Sequence, residues 1–106
     1  MTKTIRSLAV LAATVCMAGS MSFAQSAGAA TYKAKCQACH GPSGTPSAGM
    51  AKMMGIKAIS SPEMKKLTEA EMIKATTDGK GKMPAFKGKL TDAQIKDVVT
   101  YFRTLK

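Results

Sequence analysis

Two cysteines three positions apart, followed at once by a histidine, stand out as the residues best suited to chemistry: Cys36-Gln37-Ala38-Cys39-His40. The spacing is the C-x-x-C-H pattern of covalent c-type haem attachment. Each thiol can add to one haem vinyl group to form a thioether. His40 then lies under the porphyrin, where a ring nitrogen can bind iron. A thioredoxin-like redox pair would need a βαβ pattern, which the sequence does not show. A structural zinc site needs four ligands, and beyond residue 24 the chain holds only two Cys and one His.

Iron in a haem has a second axial position to fill. His40 is the only histidine, so a bis-histidine site within one chain is excluded. Methionine, lysine, water or nothing must take the other side. The methionines beyond residue 24 are Met50, Met53, Met54, Met64, Met72 and Met83. Met72 lies in a helical pattern, Met64 in a short helix, and Met50, Met53 and Met54 cluster where packing is the ordinary role of a flexible thioether. Met83 differs, because it sits in the loop Asp78-Gly79-Lys80-Gly81-Lys82-Met83-Pro84-Ala85-Phe86. Two glycines let the backbone pass close to a flat cofactor, and Pro84 restricts the conformation of Met83 itself. Met83 is therefore the expected second ligand, and His/Met ligation suits electron transfer.

The elements that must position these residues all read as helices. Ser26 is predicted to cap a short helix reaching about Lys35, with Gly28, Tyr32 and Cys36 stacked on one face. From Gly41 to Ser61, glycine and proline favour turns, with one helical turn over Ala48–Met54. Ser61-Pro62-Glu63 opens another short helix. Thr68 and Glu71 form the ends of a capping box whose helix should stop at Asp78-Gly79, and Thr91 with Gln94 repeats the device. Behind Thr91, the apolar stripe Ile95, Val98, Val99, Phe102 and Leu105 predicts an amphipathic helix over roughly Asp92 to Leu105. No strand alternation appears, so the fold class is all-α.

Residues 1–24 read as a cleaved secretory signal, with basic Lys3 and Arg6, an apolar run from Leu8 to Ala18, and Ser22-Phe23-Ala24 as the cleavage site. The apolar run is shorter than the roughly 20 residues a membrane span needs. Periplasmic localisation follows, with one domain over residues 25–106. Cys16 would leave with the signal, so no thiol remains for a structural disulfide. The remaining part carries 13 Lys and Arg103 against 6 acids, a balance of +8. Such a surface attracts acidic partners. Its lysines are scattered without aromatic interleaving, so nucleic acid is not an expected partner. Lys80, Lys82, Lys87 and Lys89 flank Met83 and are predicted to rim the haem edge. Only four aromatics (Tyr32, Phe86, Tyr101, Phe102) and no Trp serve this part, so a buried haem would supply missing apolar volume.

These features together resemble the small bacterial monohaem class I cytochromes c, over about 80 residues. The shared parts are a helix ending at Cys36-x-x-Cys39-His40, a methionine in a Lys-Met-Pro loop, and a last amphipathic helix with aromatic residues. The resemblance implies a small all-α fold of about three to five helices around one covalently bound haem c. Its first and last helices would cross, Gly28 and Tyr32 meeting Tyr101 and Phe102. Cys36 and Cys39 would carry the thioethers, and His40 and Met83 would be the axial ligands. A proline carbonyl, of Pro46 or else Pro42, would accept the other N–H of His40. The implied function is a monomeric one-electron carrier rather than an enzyme, serving redox partners with acidic docking patches, membrane-bound complexes among its donors or acceptors. A haem-based ligand sensor or peroxidase with an open sixth position is the alternative. No distal histidine or obvious acid–base pair supports it.

Overall fold

Helix propensity and capping produce six helical segments in the computed structural model, which describes residues 19–106. They are α1 (Gly19–Lys35), α2 (Gln37–His40), α3 (Ala48–Met54), α4 (Pro62–Lys65), α5 (Glu69–Asp78) and α6 (Asp92–Phe102). Segments α2 and α4 are single turns of 4 residues each, which is why the number exceeds the expected three to five. Among the described residues the β features are isolated bridges, Lys80 with Met83 and Lys87 with Leu90. The molecule is all-α, as the periodicity required.

Helix α1 begins well before Ser26, which lies inside it instead of capping it. The stretch from Gly19 to Lys35 contains no proline and many alanines, so nothing local stops the helix there. The expected cleavage point after Ala24 thus falls within α1. Lys3, Arg6, the apolar run from Leu8 to Ala18 and Cys16 lie outside the described residues.

The starts of α3, α4, α5 and α6 follow their caps, whereas α2 continues the helical course from α1 with no side-chain cap at Cys36. Ser47 accepts from the Met50 N–H at 3.3 Å and Ser61 from the Met64 N–H at 3.4 Å, with Pro62 in the first turn of α4. Thr68 and Glu71 exchange bonds at 3.1 and 2.8 Å, and Thr91 and Gln94 at 3.1 and 2.9 Å. Each pair satisfies two amide donors that a helix start would otherwise leave open. Helix α6 ends at Phe102, short of Leu105, because Thr104 and Leu105 donate to the carbonyls of Tyr101 and Phe102 and tighten the last turn.

The core is a crossing of α1 over α6. A methyl group at Gly28 would stand 2.8 Å from Tyr101 Cβ and collide with the Asp97 carbonyl, so only hydrogen fits there. Beside the crossing Tyr32 is 2 % exposed, its ring 5.5 Å from that of Tyr101 and 5.8 Å from that of Phe102. Ile95, Val98 and Val99 bury the inner face of α6. Ile59, Met72 and Val99 form a second cluster, against which Met64, Leu67 and Leu105 pack. Glu69 ties α5 to α6 by accepting from the Thr100 hydroxyl at 3.0 Å and pairing with Arg103 at 3.5 Å. Among the described residues, no helix is long and apolar enough to cross a membrane.

Candidate haem site

The chain does not leave helical geometry when α1 ends. The Cys36 N–H donates to the Tyr32 carbonyl at 2.9 Å, and the Cys39 and His40 N–H groups donate to the Cys36 carbonyl at 3.1 and 2.9 Å. Residues three and four positions apart in such a turn share a face. Cys36, Cys39 and His40 accordingly line one cavity of about 450 Å³. That is the size range of small-molecule and cofactor pockets. Its walls are apolar, with Ile56, Leu67, Val98, Val99, Phe86 and Phe102 among them. Both cysteines are free thiols, and burial pushes the Cys36 thiol up to about 11, with the neighbouring Cys39 adding to the effect.

His40 meets the Phe102 ring edge-on, centroids 5.3 Å apart. Its Nδ1 is buried with no hydrogen-bond partner, and burial lowers its pKa from the ordinary value. A neutral imidazole is the form that binds metal. The proline carbonyl expected to accept from His40 does not do so, whether from Pro46 or Pro42. The Thr45–Pro46 peptide packs closely against the Cα of Gly41, which has φ +81°. The same turn leaves the Gly41 carbonyl accepting from the buried Tyr32 hydroxyl at 2.5 Å.

Met83 reaches the same cavity from the loop between α5 and α6. Gly79, at φ +80°, starts that loop, and a Cβ there would lie 2.9 Å from both the Met83 carbonyl oxygen and the Ala85 nitrogen. Lys80 and Met83 exchange backbone bonds at 3.1 and 3.0 Å, closing a tight turn. The Phe86 and Lys87 N–H groups then donate to the carbonyls of Thr76 and Thr77 at 3.0 and 3.1 Å, pinning the loop to the end of α5. The four residues expected to form the site are therefore brought together. Two thiols, an imidazole whose burial favours the neutral form and a thioether on one apolar cavity are a donor set that fits a haem. Among the described residues no group of three or more His, Cys, Asp or Glu is placed to hold a bare metal ion.

The family profile described as "Cytochrome C oxidase, cbb3-type, subunit III" matches residues 23–102, which include every residue of the site. The chain belongs to the cytochrome c family. A cytochrome c6 from Leptolyngbya boryana is 41% identical over 75 residues, covering 71% of this chain and 85% of that protein. A cytochrome c6 from Gloeothece citriformis (strain PCC 7424) is 37% identical over 77 residues, covering 70% of this chain and 64% of that protein. The chain is a small class I cytochrome c, an electron carrier and not an enzyme, with haem as its cofactor and redox proteins as its partners.

Around the site of this cytochrome stand three further methionines that sequence reasoning passes over in favour of Met83. Met54, Met64 and Met72 line the cavity beside Met83. Met72 was traceable in principle, since it shares the buried face of α5 with Thr76 one turn on. Met54 and Met64 carry no comparable signal. Met53, by contrast, is 62 % exposed and does not line the cavity. Of the four lysines expected at the rim, Lys80 and Lys82 line the cavity, as do Lys35 and Lys57, which had not been singled out. Lys87 and Lys89 do not; the Lys89 ammonium lies 6.0 Å from the Phe86 ring centroid. Lys82 is also engaged within the molecule, donating to the Met53 carbonyl at 2.7 Å.

Proposed function

We propose that this chain is a periplasmic one-electron carrier holding one haem c, attached through Cys36 and Cys39, with His40 and Met83 as axial ligands. The observation that carries the reading is that these four side chains, from the Cys36–His40 turn after α1 and from a distant loop, line one apolar cavity. A bound haem supplies an iron that takes up and gives back a single electron. The protein's part is to hold and tune it. Thioethers from Cys36 and Cys39 anchor the macrocycle to the helical turn. His40 offers a neutral nitrogen, and Phe102 limits the swing of its ring. The soft Met83 sulfur favours the reduced iron relative to a second imidazole, and the apolar walls disfavour the extra charge of the oxidised form. A relatively high reduction potential results.

One C-x-x-C-H motif supports one haem per chain. The basic start and apolar run within residues 1–24, read as an export signal, support attachment outside the cytoplasm. Lys35, Lys57 and Lys80 around the cavity support docking of a monomer onto acidic patches of redox partners. The oxidase subunit named in the family description supports a larger membrane-bound redox complex as donor or acceptor.

The test is the mass and spectrum of the secreted holoprotein. Expected are a chain starting at Gln25 plus one covalently bound haem, and an oxidised spectrum with low-spin bands and a weak methionine–iron charge-transfer band. Met83→Ala should abolish that band and give a high-spin spectrum. An unchanged spectrum in Met83→Ala, or a strongly negative potential in the wild type, overturns the ligation. A five-coordinate wild type would point to ligand sensing instead.

A further inference from the structure

The cavity has two lips with separate supports. One is the end of α3 and the residues after it, contributing Met54, Gly55, Ile56 and Lys57; the other is the loop contributing Lys80 to Pro84. The loop is pinned to α5 at both ends, by the Gly79 N–H on the Ala75 carbonyl at 2.9 Å and by the Phe86 and Lys87 N–H groups on the Thr76 and Thr77 carbonyls, and between these anchors Lys80 and Met83 exchange backbone bonds with each other. Helix α3 is a short helix of 7 residues held by its Ser47 cap. Among the hydrogen bonds of the described residues, one joins the two lips: Lys82 Nζ to the Met53 carbonyl oxygen, at 2.7 Å. Its chemistry is favourable. Met53 is the next-to-last residue of α3, so its carbonyl has no partner within the helix. A lysine ammonium is a suitable donor for such a carbonyl, and a charged donor makes the bond stronger than a neutral one.

We propose that Lys82 is a positioning residue, a clasp that ties the Met83 loop to α3 and keeps Met83 closed over the cavity. The proposal rests on the reading of the cavity as a haem site with Met83 as ligand. Because Lys82 directly precedes Met83, holding its side chain to α3 restrains the backbone on which the sulfur is carried. With the clasp gone, the loop keeps its hinge on α5 but swings open more often at Met83. Each opening exposes the iron side of the cavity to a competing ligand.

The experiment measures imidazole binding to the oxidised holoprotein, together with hydrogen exchange of the Lys80 and Met83 amides. Lys82→Met keeps the aliphatic stem and removes the donor. It should raise the imidazole binding rate about tenfold, equivalent to about 1.4 kcal/mol of loop closure, and speed exchange at both amides. Lys82→Arg, which retains a donor of similar reach, should restore wild-type behaviour. Lys87→Met removes the same charge from the α5–α6 loop at an exposed side chain that does not line the cavity, and should match the wild type. Equal rates and equal exchange in Lys82→Met and Lys87→Met would overturn the clasp. The ligation reading fails separately: if Met83→Ala leaves the spectrum unchanged, Met83 is not the ligand, and amide exchange alone then decides whether Lys82 closes the loop.

Discussion

Tyr32 hydrogen-bonds to Gly41 across the whole Cys36–His40 turn, its buried hydroxyl donating to the Gly41 carbonyl at 2.5 Å. The bond fixes both ends of the haem-attachment segment to α1. Tyr32→Phe should lower stability toward denaturant by about 1–2 kcal/mol, the cost of an under-satisfied buried carbonyl. The lower half of the usual range applies because the Gly44 N–H still reaches that carbonyl at 3.3 Å. Denaturant unfolding of wild type and variant holoprotein measures the difference.

The same tyrosine makes the fold sensitive to alkali. Burial pushes its phenol from the ordinary 10.0 up to about 12, with the nearby Cys36 thiol as a smaller contribution. A folded value above the unfolded one means the neutral phenol stabilises the fold. That stability is complete below pH 10 and is lost as pH rises through about 12. In the holoprotein the Cys36 contribution is absent, because a thioether carries no charge, and the loss should amount to about 1–2 kcal/mol. Tyr32→Phe should lack this component, so the stability gap between the two proteins should narrow across the window.

Gly28 is the contact point of α1 and α6. Gly28→Ala would bring a methyl group to 2.8 Å from Tyr101 Cβ and onto the Asp97 carbonyl. Backbone on one side cannot yield as a flexible side chain could. The crossing should open at a cost of about 1–3 kcal/mol, despite the better helix propensity of alanine. Thermal unfolding followed by circular dichroism checks it, and an unchanged or raised Tm would contradict the packing.

Gly79 controls the Met83 loop. Its φ of +80° is left-handed, and a Cβ would meet the Met83 carbonyl oxygen and the Ala85 nitrogen at 2.9 Å. With ψ at 161° this conformation is essentially reserved to glycine, and Gly79→Ala should cost about 1–3 kcal/mol from conformation alone, directed into the loop. The methionine–iron band of the oxidised holoprotein should therefore weaken more than global stability does. Loss of stability with an undiminished band would show that the loop position does not depend on Gly79.

Charge at the cavity mouth should appear in kinetics. Lys35, Lys57 and Lys80 line it. Electron exchange with an anionic inorganic reagent should slow as salt rises from low to physiological strength, and exchange with a cationic reagent should quicken. Lys80→Gln should reduce both salt effects. Stopped-flow rates that ignore ionic strength would remove the steering role.

Much of this protein is determined by interactions between residues a turn apart, and these are legible in the sequence. The caps at Ser61, Thr68 and Thr91 set helix starts because a hydroxyl reaches only the amides just after it. The Cys36-x-x-Cys39-His40 spacing puts three reactive groups on one helical face for the same reason. Even the partners of Gly28 and Tyr32 could be anticipated, through the resemblance of the whole pattern to a family. What the tertiary structure alone decided depends on packing between distant segments. Only the folded chain places Met54, Met64 and Met72 on the cavity with Met83. It also packs the Thr45–Pro46 peptide onto Gly41 and leaves His40 Nδ1 buried without a partner. And it brings the Lys82 ammonium to a carbonyl at the end of α3, a bond no periodicity encodes because the two residues meet only when both lips of the cavity are in place.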